Sequence, residues 1–189
     1  MRLRSFTNLS AVSLLSLCLL ACGGGESGSN LSGSTVSVNS ADDAALMKYE
    51  RSARRIKVAE GVFAAWSSGN ADAPEKYFHP EGSLYDVVAG KKLEGWPAIR
   101  AFFAAEADPA RNLTLIPERY WVSDEGVALS WVMSFTVLDD SFGAEHKGKR
   151  TRIMGMSNLT FNDNDLITSE VDYWSMTDIP RSLELTDGH

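Results

Sequence analysis

Two aspartates in this 189-residue chain stand where a side chain could do chemistry. Asp172 lies inside EVDYWSMTD, residues 170–178, a stretch otherwise rich in β-formers. Strand alternation puts Glu170, Asp172 and Trp174 on one face and Val171, Tyr173 and Ser175 on the other. Asp86 falls inside a second β-type stretch, SLYDVVAG, residues 83–90. A carboxylate in an apolar surround has its pKa raised toward neutrality, where it can take and return a proton. The simpler alternatives are an exposed strand-end Asp86 and a structural Asp172 satisfied by a tyrosine, an indole N–H or a backbone donor. A buried charge without partners costs several kcal/mol, so either something compensates Asp172 or it is protonated.

Other chemistries find little support. The three histidines, His79, His146 and His189, fall in a turn, a loop and the C-terminus, so a histidine metal site is not expected. Ser130 and Ser134 have no histidine placed to activate them. GGGESGSN is glycine-rich, but no strand precedes it and no helix follows, so it does not read as a phosphate loop. No cofactor is expected. The formal net charge of −7 argues against nucleic acid.

The elements that must position the aspartates follow from periodicity. Over residues 41–68 the pattern is helical: Ile56, Ala59, Val62, Phe63 and Trp66 recur at three- and four-residue steps, and Gly69 stands at a C-cap position. A short helix is expected over residues 73–78, ended by His79-Pro80. Residues 83–90 read as a strand closed by Gly90 and two lysines. Gly95-Trp96-Pro97 starts another helix with Ile99, Phe102 and Phe103 as its apolar stripe. Four long β-type stretches follow, 113–124, 126–139, 149–161 and 165–176. Helices followed by hairpin-connected strands predict an α+β fold. The expected form is a strongly bent antiparallel sheet with about three helices on its concave face, enclosing a cone-shaped cavity. Alternation about Ser157 turns Thr151, Ile153, Gly155 and Leu159 inward and Arg150, Arg152, Met154 and Met156 outward. An outer face bearing Met and Arg fits an interface; the alternative is a solvated face with two chance methionines.

The first forty residues read as address and tether. Arg2 and Arg4 precede the apolar run AVSLLSLCLLA, which is too short to span a bilayer. LLAC, residues 19–22, resembles a bacterial lipobox, which implies cleavage after residue 21 and a lipid on Cys22, in the cell envelope and most readily on an outer membrane facing the periplasm. An ordinary secretory signal is the alternative. Loss of Arg2 and Arg4 would leave 16 Lys+Arg against 25 Asp+Glu, a net charge of −9. Eleven of residues 23–40 are Gly or Ser, a coil reaching about 20–25 Å. Residues 22–40 are therefore expected to be a tether and 41–189 one domain. The only other cysteine, Cys18, lies in the leader, so no disulfide or thiol chemistry is expected in the domain.

Four features, in order, resemble the nuclear transport factor 2-like superfamily, and within it the SnoaL-like domains. They are the long helix ending in WSSGN, the stretch YFHPEGSLYDVVAG, the helix start LEGWPAIRAFF and the closing strand EVDYWSMTD, together covering about residues 50–182. The resemblance implies a cavity between the concave sheet face and the helices, and a homodimer paired through the outer sheet face of Arg150, Arg152, Met154 and Met156. In that frame Asp86 matches the strand position of the general base of ketosteroid isomerases. Asp172 matches the closing-strand aspartate of limonene epoxide hydrolases, and Trp174 a pocket tryptophan of the isomerases.

The departures narrow the chemistry. The isomerases' two oxyanion donors would fall near Val62 or Phe63 and at Ser157, so both strong donors are missing. The epoxide hydrolases' middle-strand Arg and Asp are missing from ALSWVMSF, and the two pocket histidines of scytalone dehydratases have no counterpart. The expectation is a cavity lined by Phe63, Trp66, Trp96, Phe103, Trp131 and Trp174, with Ser157 also at the ligand. Asp86 and Asp172 are its polar points, with Glu170 near the open rim. A small, mostly apolar ligand suits it. Two classes remain open: a proton-transfer enzyme of isomerase, cyclase or dehydratase type, and a non-catalytic binding, dimerisation or assembly module with structural aspartates.

Overall fold

The computed structural model describes residues 40–185; the expected leader, Cys22 and all of the tether except Ser40 lie outside them. The helical spacing of the first element closes into α1, Ser40–Trp66, whose buried face carries Ala59, Val62, Phe63 and Ala65. Arg55 shares that face. Its guanidinium meets Asp165 at 3.1 Å and the Asp124 carbonyl at 3.0 Å, and lies 5.2 Å from the Phe161 ring centroid. A buried cation persists only when it is paired in this way.

The short helix expected over residues 73–78 shrinks to a single 3-10 turn, Glu75–Tyr77. Strand β1 runs Phe78–Asp86. His79-Pro80 therefore lies inside a strand, at the register shift between Phe78 and Ser83, where Pro needs no ladder bond. Residues 87–90 form a turn, and the two lysines open strand β2, Lys91–Glu94, rather than close β1. Helix α2, Trp96–Glu106, starts after Gly95, whose φ of 77° favours glycine. Strands β3 (Thr114–Val122), β4 (Gly126–Thr136), β5 (Arg150–Phe161) and β6 (Ile167–Trp174) match the four β-type stretches. Helix α3, Asp178–Leu185, was not read from the sequence; it buries Ile179 and Leu183, one turn apart.

The six strands form one curled sheet in the order β2-β1-β6-β5-β4-β3. The α+β expectation holds, with one correction: β1 and β6 pair in parallel, so the sheet is mixed. The reason is the route of the chain. The β1–β2 hairpin occupies one edge, α2 carries the chain to the far edge, and the β3–β6 meander returns to β1. Hairpin turns set the direction of each meander strand, but nothing local relates β6 to β1.

The concave face packs against the helices through Phe63, Leu84, Ile99, Leu129, Ile153 and Leu159. On the convex face, register places Ile116, Val132 and Met154 in one row and Met156 and Tyr173 in the next. Met154 is 53% exposed and Met156 44%. Arg150 and Arg152 are also exposed, and Arg150 donates to the Asn112 carbonyl at 2.8 Å and the Thr114 hydroxyl at 3.1 Å.

Candidate functional site

Strand register lines up four polar residues across the concave face. Lys91 on β2 stands opposite Asp86 on β1, Asp86 beside Asp172 on β6, and Asp172 opposite Ser157 on β5. All four border a cavity of about 290 Å³. Phe63 and Trp66 of α1, Phe102 of α2, Trp131 and Met133 of β4 and Ile179 of α3 supply its apolar wall.

Asp172 is half-buried, and it forms part of the cavity wall. The Ser157 hydroxyl donates to its Oδ1 at 2.5 Å. The Trp131 indole N–H donates to that hydroxyl oxygen at 2.8 Å. The bond from Trp131 commits the serine proton to the carboxylate, because a hydroxyl has one proton to give. Trp131 reaches Ser157 because Gly155, its cross-strand partner, has no side chain; a Cβ there would overlap the Trp131 ring.

Glu170 is 1% exposed, so it lies deep rather than at the rim, and its Oε2 has no hydrogen-bond partner among the described residues. Burial pushes the Glu170 carboxyl well above the usual range, and the charge of Asp172 and a hydrogen bond between the two push it further. Burial likewise raises Asp172, to about 7; the Ser157 hydrogen bond opposes the rise, the Asp86 charge adds to it, and the hydrogen bond with Glu170 lowers it. The arrangement is a pair of carboxyls whose protonated forms burial favours, with Asp172 raised to about 7.

Asp86 is 8% exposed, not the exposed strand-end residue of the simpler reading. Its Oδ1 accepts from Val88 N at 3.0 Å, Ala89 N at 2.9 Å and Trp174 Nε1 at 3.2 Å. It thus closes the β1–β2 turn, orients the Trp174 indole and sets a negative charge beside Asp172.

Of the residues expected at the cavity, Phe63, Trp66, Trp131, Ser157, Trp174, Asp86 and Asp172 border it. Trp96 and Phe103 do not. Successive helical residues point about 100° apart, so with Phe102 at the cavity, Phe103 turns toward β1. There its ring centroid lies 3.6 Å from Trp66 and 6.3 Å from Phe78. Trp96 packs on Phe78 at 6.0 Å, behind the wall. Sequence reading missed Lys91, Phe102, Glu106, Arg111, Met133 and Ile179 as lining residues. Met133 had a signal, because it shares the two-residue period of Trp131; Arg111, in a 3-10 turn, had none.

Solved structures share this architecture. A protein of ketosteroid isomerase-like fold from Catenulispora acidiphila, crystallised with trimethylamine, superposes with a TM-score of 0.57 at 18% identity, covering 67% of this chain and 92% of its own. SalBIII, described as an epoxide hydrolase/cyclase-like enzyme in pyran ring formation in the polyether salinomycin, gives 0.57 at 23%, covering 67% and 94%. A candidate SnoaL-like polyketide cyclase from Shewanella putrefaciens gives 0.60 at 16%, covering 70% and 97%. At these identities the likeness is one of fold. No curated protein matches the chain. The SnoaL-like domain family matches residues 59–170, a span that takes in Asp86, Ser157 and Glu170 and stops two residues short of Asp172. That span is more than half of the 189 residues, and with the curled sheet around its cavity it places the chain in the SnoaL-like domain family.

Proposed function

We propose that the domain binds a small, mostly apolar molecule in this cavity and that Asp172 moves a proton on it, in chemistry of isomerase, cyclase or dehydratase type. One observation carries the reading: Asp172 borders a largely apolar cavity with its pKa raised to about 7, between the Ser157 hydroxyl and the buried carboxyl of Glu170. A general base works best when its pKa lies near the working pH. The ionised carboxylate would take a proton from an activated C–H of the ligand, leaving the electron pair on an adjacent carbonyl oxygen as an enolate. The proton then returns at another carbon, or the enolate carbon attacks a carbonyl within the same molecule and the Asp172 proton passes to the alkoxide so formed. Asp86 serves here by holding Trp174 and raising Asp172, not as the base.

The donor side favours a second reading. The indole N–H groups of Trp131 and Trp174 are already given to Ser157 and Asp86, so neither is free for a developing oxyanion. A binding or assembly module with structural aspartates fits that economy. Deuterium uptake into 2-tetralone in heavy water, followed by proton NMR, separates the two. Exchange above the buffer rate that is lost in Asp172→Asn and kept in Asp86→Asn supports the enzyme. No acceleration with 2-tetralone or with a panel of cyclic 1,3-diketones leaves the binding module.

The same proposal places the domain on the cell envelope through a lipid on Cys22, and pairs two copies through the convex sheet face. Mass analysis of the N-terminal peptide of the purified chain, with Cys22→Ser as the control, tests the anchor.

A further inference from the structure

Six titratable groups border the cavity, and they are sorted by position. Asp86, Glu170 and Asp172 stand on the inner row of β1 and β6. Lys91, Glu106 and Arg111 come from the edge strand β2, the last turn of α2 and the 3-10 turn after it. Lys91 Nζ lies 5.8 Å from the Phe102 ring centroid and pairs with no carboxylate among the described residues. Arg111 spends one nitrogen on Glu106, 3.0 Å away, at a side-chain exposure of 31%. Phe102 and Glu106 are one turn apart on the same face of α2, which brings the two cations to one end of the cavity. Lys91 and Arg111 outnumber Glu106 at this end, with Asp86 one strand interval further in, in a chain whose total is −7.

We infer that the ligand is an organic acid, held with its anionic group on Lys91 and Arg111 at the mouth and its apolar body running inward toward Asp172. The inference rests on the pocket reading above and adds the ligand's class and orientation to it. The reverse orientation would take the anion away from both cations and set it beside Asp172 and Glu170, at a cost that grows as the surround becomes apolar. Asp86 is the register partner of Lys91 but closes no ion pair with it; its Oδ1 faces the 87–90 turn and the Trp174 indole, accepting from two backbone amides and Nε1. From Lys91 to Asp172 is two strand intervals, about 10 Å, the length of a skeleton of two or three fused rings.

The test compares anthracene-2-carboxylate with anthracene-2-carboxamide, matched in shape and different in charge, by calorimetric titration of the purified full chain at about pH 8. The acid should bind about fivefold more tightly than the amide, as two solvent-facing cations would give. Lys91→Gln combined with Arg111→Gln should equalise the two, and Glu106→Gln, which removes the competing carboxylate, should strengthen the acid. An acid that binds no better than the amide, or a preference that survives in the double variant, overturns the inference while amide binding upholds the pocket. Failure of both probes to bind overturns the inference and the pocket reading together.

Discussion

Ser157 Oγ and Asp172 Oδ1 are 2.5 Å apart on adjacent strands, directly opposite in register. The serine also accepts the Trp131 indole, so the three residues form a directed chain of donors that ends on the carboxylate. That chain stabilises the charged form of Asp172, and burial opposes it. Burial is the larger effect, and the group settles at about 7.

The pH dependence of stability should carry this signature. In the folded protein Asp172 and Glu170 keep their protons at pH values where the unfolded chain has lost them. Their contribution is therefore whole below about pH 4, the unfolded carboxyl range, and is lost as pH rises, for Asp172 up to about 7. The stability of Asp172→Asn relative to the parent should rise by about 2–4 kcal/mol between those limits. Denaturant melts across the range check this; a constant difference would contradict it.

Asp86→Asn should move the Asp172 titration to lower pH. The Asp86 charge is one of the causes that raise it, and an asparagine keeps the oxygen that Val88, Ala89 and Trp174 use. Carboxyl carbon NMR of both proteins reads the midpoint directly, and an unchanged or raised midpoint counts against the coupling.

Ser157→Ala should act with the opposite sign. It removes the hydrogen bond that lowers Asp172, so the midpoint rises, and it strands the buried Trp131 N–H at a cost of about 1–3 kcal/mol. Ser157→Thr, which restores a hydroxyl, should recover the midpoint. If the alanine variant titrates like the parent, the hydroxyl does not govern Asp172.

Gly155→Ala should destabilise by about 1–3 kcal/mol, because the new methyl overlaps the Trp131 ring and forces it from its rotamer. Tryptophan fluorescence and the Asp172 midpoint should change together with stability. A stable variant with an unchanged spectrum would show that the ring has room to spare.

Exchange of Met154 and Met156 for aspartate should shift the chain toward monomer in sedimentation velocity, without altering the cavity. The two side chains lie in the convex rows with Ile116 and Tyr173, about half exposed. A monomeric parent would refute the proposed pairing outright.

Much of the frame was legible. The three- and four-residue steps of Ala59, Val62 and Phe63 mark the buried face of α1, and alternation about Ser157 sorts β5 correctly into buried Thr151, Ile153 and Leu159 and exposed Met154 and Met156. The losses have physical causes. β2 is four residues long and opens with two lysines, so no apolar pattern announces it. Helix α3 offers one buried pair, Ile179 and Leu183, too little for a periodic signal. The apolar stripe of α2 covers both the cavity and the cluster behind it, and spacing alone could not say that Phe102 takes the first and Phe103 the second.

By itself the sequence determined which faces are apolar, that Glu170, Asp172 and Trp174 share one of them, and that no cysteine remains beyond residue 22 to do chemistry. These are properties of neighbours along the chain, governed by the fixed periods of helix and strand. Only the tertiary structure decided that Asp86 holds Trp174 from 88 residues away, that Glu170 is deep with its carboxyl pushed up by burial, and that Lys91 and Arg111 reach the same cavity. Those facts depend on the parallel seam between β1 and β6 and on the crossing of α2. Both join segments distant in sequence, and their energies come from burial and desolvation, which no local pattern records.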